Sequence, residues 1–314
     1  MLAVVCPGQG AQSPGMLSPW LELPGTAELL GRWSERTGVD LVVHGTTSDA
    51  ETIRDTAVAQ PLLTASSLAT ANHVLSPDGP APDVVAGHSV GEFPAAALAG
   101  VLSADDAVSL VAVRGAAMAR AAAATPTGMS AVLGGDPDEV LARLAELDLT
   151  PANVNGGGQV VAAGALDALA ALVENPPTRA RVVALQVAGA FHTSVMAPAV
   201  AELAQAATRT TTADPRVTLL SNADGAPVAT GTAALERLVA QVANPVRWDL
   251  CCEQLLALGV TGLLELAPGG VLTGLARRTL PGVATVALKT PDDLDAARDL
   301  IREHAGAPAG QEDQ

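Results

Sequence analysis

Aromatic side chains are scarce. The chain of 314 residues has no tyrosine, two phenylalanines and three tryptophans, and a single lysine, Lys289, stands beside sixteen arginines. With alanine abundant, that imbalance reads as codon composition rather than function. Three cysteines, Cys6, Cys251 and Cys252, make an odd count whose spacing fits no zinc pattern. This argues against a disulfide framework and a structural metal, and it predicts a reducing compartment, the cytoplasm. Charge is sparse at 16% of residues and mostly of one sign, with 33 acids against 17 bases and a net charge of -16. Nucleic-acid binding, which needs Lys and Arg against phosphates, is not expected. The longest uncharged stretch, residues 56–77, contains Gln60, Pro61, Asn72 and His73, so no membrane span is expected. The start has no basic segment and reaches Pro7-Gly8 too soon for a secretory leader.

Apolar residues, at 49%, are plentiful enough to bury a core and exclude disorder for most of the chain. The length suits one large α/β domain carrying an insertion. Residues 2–6 read as a buried strand before the turn Pro7-Gly8-Gln9-Gly10. Helices are expected over 27–36, 60–75, 90–101 and 105–123, with a strand at 83–87 after the breaker-rich loop 76–82. The texture changes near Thr125. Strands at 129–133, 159–163 and 180–187 alternate with helices at 136–147 and 166–174, a β-α-β-α-β run that reads as an inserted α+β subdomain. Helices over 198–207, 233–243, 250–258 and 271–279 follow, with strands at 217–221 and 262–265. Residues 305–314, rich in Ala, Gly, Pro and Gln, read as a disordered tail.

Gly87-His88-Ser89-Val90-Gly91 matches G-x-S-x-G between a strand and an alanine-rich helix. That setting places a serine hydroxyl at a tight bend, with helix N–H groups beneath it for a developing oxyanion. Such a nucleophile needs a base. Of five histidines, His88 adjoins the serine and its side chain should point away. His44, His73 and His304 sit in polar, helical or tail settings. His192 follows a strand and precedes a helix, the place expected of a base, although a satisfied loop histidine is an equal alternative on the residues alone. No acid with a motif lies between Ser89 and His192; Asp136, Glu139, Glu146 and Asp167 fall on exposed helix turns. A Ser–His dyad is therefore expected, its histidine oriented by another acceptor such as a backbone carbonyl.

Seven motifs occur in order: Pro7 to Gln12, Gly87 to Glu92, Arg114-Gly115, Asn153-Val154-Asn155, Gly189-Ala190-Phe191-His192, Gln241 to Trp248, and Pro268 to Leu275. Together, over about residues 1–304, they resemble the malonyl-CoA:acyl carrier protein transacylases of bacterial fatty acid synthesis. The resemblance implies an α/β-hydrolase-like core (residues 1–124 and 191–304) with a ferredoxin-like insert (125–190). It implies that Ser89 takes the malonyl group as an ester, that His192 is the base, and that the backbone carbonyl of Gln241 orients His192. Backbone N–H groups of Gln9 and Val90 would form the oxyanion hole. Arg114, which alone reads more readily as a surface arginine, would hold the malonyl carboxylate bidentately. Gln9, His88, Asn153, Asn155 and Phe191 would line the substrate site. The implied substrate is malonyl-CoA and the partner acyl carrier protein, an acidic protein, with no bound cofactor or metal and a monomeric enzyme. Arg277-Arg278, the only adjacent basic pair, and Lys289 are candidates to dock the carrier; complementing a helix dipole is the even alternative. Rival readings are a discrete malonyl acyltransferase of a polyketide synthase, a serine thioesterase or hydrolase, and a silent scaffold.

Overall fold

The computed structural model describes residues 1–76 and 79–306. The expected tail falls outside the described residues except for Ala305 and Gly306; the Gly306 N–H lies 3.3 Å from the Asp83 carboxylate. The strands are β1 (Leu2–Cys6), β2 (Val84–Gly87), β3 (Thr127–Gly134), β4 (Thr150–Gly156), β5 (Gln159–Ala165), β6 (Ala180–Ala184), β7 (Thr218–Leu219), β8 (Val246–Arg247), β9 (Gly262–Glu265) and β10 (Ala284–Ala287). The helices are α1 (Thr26–Thr37), α2 (Leu41–Thr46), α3 (Thr56–Val74), α4 (Glu92–Leu98), α5 (Ala104–Ala124), α6 (Pro137–Glu146), α7 (Leu166–Glu174), α8 (Ala197–Ala207), α9 (Gly231–Ala240), α10 (Trp248–Ala257), α11 (Val271–Thr279) and α12 (Leu294–His304).

The first sheet is parallel throughout, in the order β10-β9-β1-β2-β7. Its central strands are buried along their whole length, as unbroken apolar runs such as Leu2-Ala3-Val4-Val5-Cys6 require. Helices cover it, and the molecule has an α/β-hydrolase-like core. The second sheet, in the order β6-β3-β5-β4-β8, is antiparallel except where β4 meets β8. With α6 and α7 it forms a ferredoxin-like subdomain around Val132, Val140, Leu144, Leu149, Leu169 and Leu172. Its order is β-α-β-β-α-β, one strand more than the residue pattern suggests. The extra strand, β4, contains Pro151, Asn153 and Asn155, all poor strand formers, and is broken by two register shifts.

The helix expected over 90–101 divides into a 3-10 turn at Ser89–Gly91 and α4, which ends before Gly100 in a left-handed conformation. Among the described residues one helix, α5, is long and apolar enough by length and composition to cross a membrane. It lies instead packed between α3 and α8. Gly115 permits the approach to α3, because a Cβ there would sit 2.8 Å from the Thr56 carbonyl oxygen. Arg114, its neighbour, reaches the segment after β2, with Nη2 3.3 Å from Ser89 Oγ.

Candidate active site

The loops after β1 and β2 meet at the carboxyl ends of the parallel strands, where ligands bind in open α/β sheets. Ser89 sits at their junction with φ of 53°, a left-handed conformation rare for a side chain other than glycine. Both glycines of the pentapeptide are required by space. A Cβ on Gly87 would overlap the backbone of Gly91, and one on Gly91 would overlap the Cys6 carbonyl. Gly8 answers to the same demand, since its Cβ would lie 2.7 Å from the His88 carbonyl oxygen. Asn222 braces the bend. Its side-chain oxygen accepts from the Ser89 N–H at 2.8 Å and its Nδ2 donates to the Gly87 carbonyl at 2.8 Å. Its own N–H donates to the Glu92 carboxylate at 2.7 Å.

The Ser89 hydroxyl lies 2.7 Å from His192 Nε2, and His192 Nδ1 lies 2.9 Å from the Gln241 carbonyl oxygen. A carbonyl can only accept, so Nδ1 carries the proton and Nε2 is left to accept from the serine. His192 is 3% exposed, and its φ of 61° puts the ring on the serine side of its loop. The loop is pinned by Ala190 N–H donating to Thr127 Oγ1 and by Thr193 Oγ1 donating to the Ala190 carbonyl. Burial, and then the charge of Arg114, push the imidazole down to about 3, so it is neutral at pH 7. Asp136, Glu139, Glu146 and Asp167 are all exposed on the subdomain, and none is brought to His192.

Arg114 is fully buried, which removes the surface alternative. Nη1 donates to Gln60 Oε1 at 2.6 Å; Nη2 donates to Gln241 Oε1 at 2.8 Å and lies 3.3 Å from Ser89 Oγ. The guanidinium carbon lies 5.9 Å from the Phe93 ring centroid. Nε has no partner among the described residues. Burial lowers Arg114 to about 10, opposed by Glu92, and leaves it charged at neutral pH. Glu92 is itself buried, which raises its carboxyl to about 7 against the pull of its hydrogen bonds and of Arg114.

Gln9, His88, Asn153 and Phe191 line a cavity of about 80 Å³ with Ser89 and His192. It shares Gln9, Leu185 and Val187 with an outer hollow of about 410 Å³ bounded by Arg54. Asn155 stands behind this wall, 2.8 Å from His88 Nε2, while His88 tilts against Trp248 at 5.7 Å between ring centroids. Burial lowers the His88 imidazole. Arg277 and Arg278 are exposed at the end of α11, where Arg278 packs on Gly157 in the β4–β5 turn, two residues beyond Asn155. Lys289 packs on Gly270 at the opposite end of α11, so the three bases are not one cluster. Gln60, Glu92 and Asn222 are site residues to which sequence reasoning gave no role. A buried glutamine beside Pro61 and the final Glu92 of the elbow motif are the faint signals they left. Among the described residues no group of three or more His, Cys, Asp or Glu could hold a metal ion.

Residues 3–302 match the model of the acyl transferase domain family. The malonyl CoA-acyl carrier protein transacylase of Mycobacterium tuberculosis is 55% identical over 302 residues, 96% of this chain and 100% of that protein. The crystal structure of MCAT from the same organism superposes with a TM-score of 0.91 at 55% identity, covering 95% of this chain and 99% of that one. A solved complex of a type II PKS acyl-carrier protein with its malonyl-transacylase contains a chain 31% identical, with a TM-score of 0.87, covering 95% and 99%.

Proposed function

Since this chain belongs to the acyl transferase domain family, among its malonyl CoA-acyl carrier protein transacylases, we propose that its transfer of malonyl from malonyl-CoA to the thiol of acyl carrier protein, in supply of fatty acid synthesis, runs through a Ser89–His192 dyad. The observation that carries the reading is the position of the Ser89 hydroxyl, 2.7 Å from a neutral imidazole and 3.3 Å from a buried guanidinium. His192 Nε2 takes the hydroxyl proton as Ser89 Oγ attacks the thioester carbon. The tetrahedral adduct collapses, its C–S bond breaks, and the imidazolium returns the proton to the departing CoA sulfur. The carrier thiol then repeats the sequence on the malonyl-serine ester, and His192 reprotonates Ser89.

The Gln241 carbonyl holds the Nδ1 proton throughout, replacing the carboxylate of a triad. Asn222 occupies the Ser89 N–H, which leaves the N–H groups of Val90 and Gln9 to receive the oxyanion. The Nε and Nη2 edge of Arg114 takes the malonyl carboxylate as a fork. We assign residues 1–124 and 191–304 to the catalytic core and 125–190 to the subdomain. We expect a cytoplasmic monomer without a bound cofactor, docking its carrier beside Arg277 and Arg278. The relative found with a polyketide carrier supports a second reading, in which that class of carrier is also served. Intact mass after brief exposure to malonyl-CoA tests the mechanism. Wild type should gain one malonyl group and Ser89→Ala none; an adduct that persists in the variant overturns the assignment.

A further inference from the structure

Gln241 does more than lend a carbonyl. Its side-chain amide lies between the two buried charges of the site. Oε1 accepts from Arg114 Nη2 at 2.8 Å, while Nε2 donates to the Glu92 carboxylate and to the Ser89 carbonyl at 3.0 Å. Glu92 accepts at both oxygens, from the Asn222 N–H and from Gln241, so it dictates which end of the amide faces it. With Nε2 held toward the carboxylate, only oxygen can face Arg114. Gln60 Oε1 holds Nη1 in the same way, so neutral oxygens fix two positions on the guanidinium, while Nη2 lies 3.3 Å from Ser89 Oγ and Nε has no partner among the described residues.

The spacing of the charges matters. A carboxylate bonded directly to Arg114 would neutralise it and compete with an incoming carboxylate for the same fork. One amide in between keeps Glu92 near enough to offset the burial of Arg114 and leaves the fork free. We propose that Glu92 and the side chain of Gln241 are positioning residues for malonyl selectivity: Glu92 orients the Gln241 amide, and the amide holds Arg114 ready for the substrate carboxylate without pairing its charge. This rests on the reading of Arg114 given above.

The test compares kcat/KM for malonyl-CoA and acetyl-CoA at pH 8, where Glu92 is ionised, in wild type, Arg114→Ala, Glu92→Gln and Gln241→Met. A glutamine at 92 can turn an NH2 toward Gln241 and reverse the amide; a methionine at 241 keeps the backbone carbonyl and removes the bridge. Both should lower the malonyl-to-acetyl ratio by about tenfold, the scale of a hydrogen bond to a charged group, chiefly through a higher KM for malonyl-CoA. Arg114→Ala should lower it further. The relay is overturned if Arg114→Ala lowers the ratio and the other two leave it within twofold, or if they depress both acyl groups equally, as a purely structural role would. A ratio unmoved by Arg114→Ala instead overturns the carboxylate reading itself. Should Glu92→Gln fail to fold, Gln241→Met decides alone.

Discussion

A base that is neutral far below its usual range is useful only if nothing forces a proton onto it. His192, the base we propose, meets that condition through burial and the nearby guanidinium, with one carbonyl holding Nδ1–H. Its folded-state value of about 3 lies below the ordinary 6.5, so the unfolded chain takes up the proton first as pH falls. Stability from keeping His192 neutral is therefore present above about pH 6.5 and is lost progressively from 6.5 toward 3. In histidine-selective NMR the His192 ring should stay neutral down to pH 5, and His192→Ala should slow serine acylation by about 10² to 10⁴. A His192 signal titrating near 6.5, or an activity loss below tenfold, would sink this account. Part of the proposed site is legible in the residues. Ser89 announced itself by a motif in a strand–helix setting, and His192 by its place after a strand. Arg114, Gln9 and Gln241 emerged only through family resemblance. Glu92 had no assigned role, because what makes it matter is contact with Asn222 and Gln241, 130 and 149 residues away.

α1 and α5 could be read within a residue of their ends, whereas α3, buried on nearly every side, begins at Thr56, four residues before the expected 60. β4 could not, because its residues suit the pocket wall better than a strand. α12 was overlooked although Leu294, Ala297, Leu300 and Ile301 mark a buried stripe at helical spacing. β9 and α11 have the bounds expected of them, 262–265 and 271–279, but the joint between them was not legible in the pattern. Glu265 ends β9 fully buried, and its carboxylate accepts from the N–H groups of Gly270, Leu272 and Thr273 at 2.8–2.9 Å. A single acid thus satisfies three donors at the positive end of α11. Glu265→Ala removes all three bonds and leaves a cavity, so it should cost about 2–4 kcal/mol of unfolding free energy. Urea denaturation measures this; a loss under about 0.5 kcal/mol would mean that water or a neighbouring group replaces the cap.

At the scale of the whole molecule, a net charge of -16 opposes the approach of an acidic carrier. At physiological salt that opposition is screened beyond about 8 Å, so local charge decides docking. Arg277 and Arg278 lie exposed where α11 meets the β4–β5 turn, and that turn continues from the strand carrying Asn153 and Asn155 beside the serine pocket. Lys289 is exposed at the other end of the helix, against Gly270, seven to eight residues or about 11 Å along its axis from the pair. The pair and Lys289 are therefore separable. Reversing both arginines, Arg277→Glu with Arg278→Glu, should raise KM for acyl carrier protein by about five- to tenfold and leave serine acylation by malonyl-CoA as in wild type. Lys289→Glu should raise it by less than twofold. Added salt should raise the carrier KM of wild type and flatten that of the double variant, because the attraction it screens is already gone. A carrier KM unmoved by the double reversal would place the docking surface elsewhere, and an equal effect from Lys289→Glu would show that the carrier spans the whole length of α11.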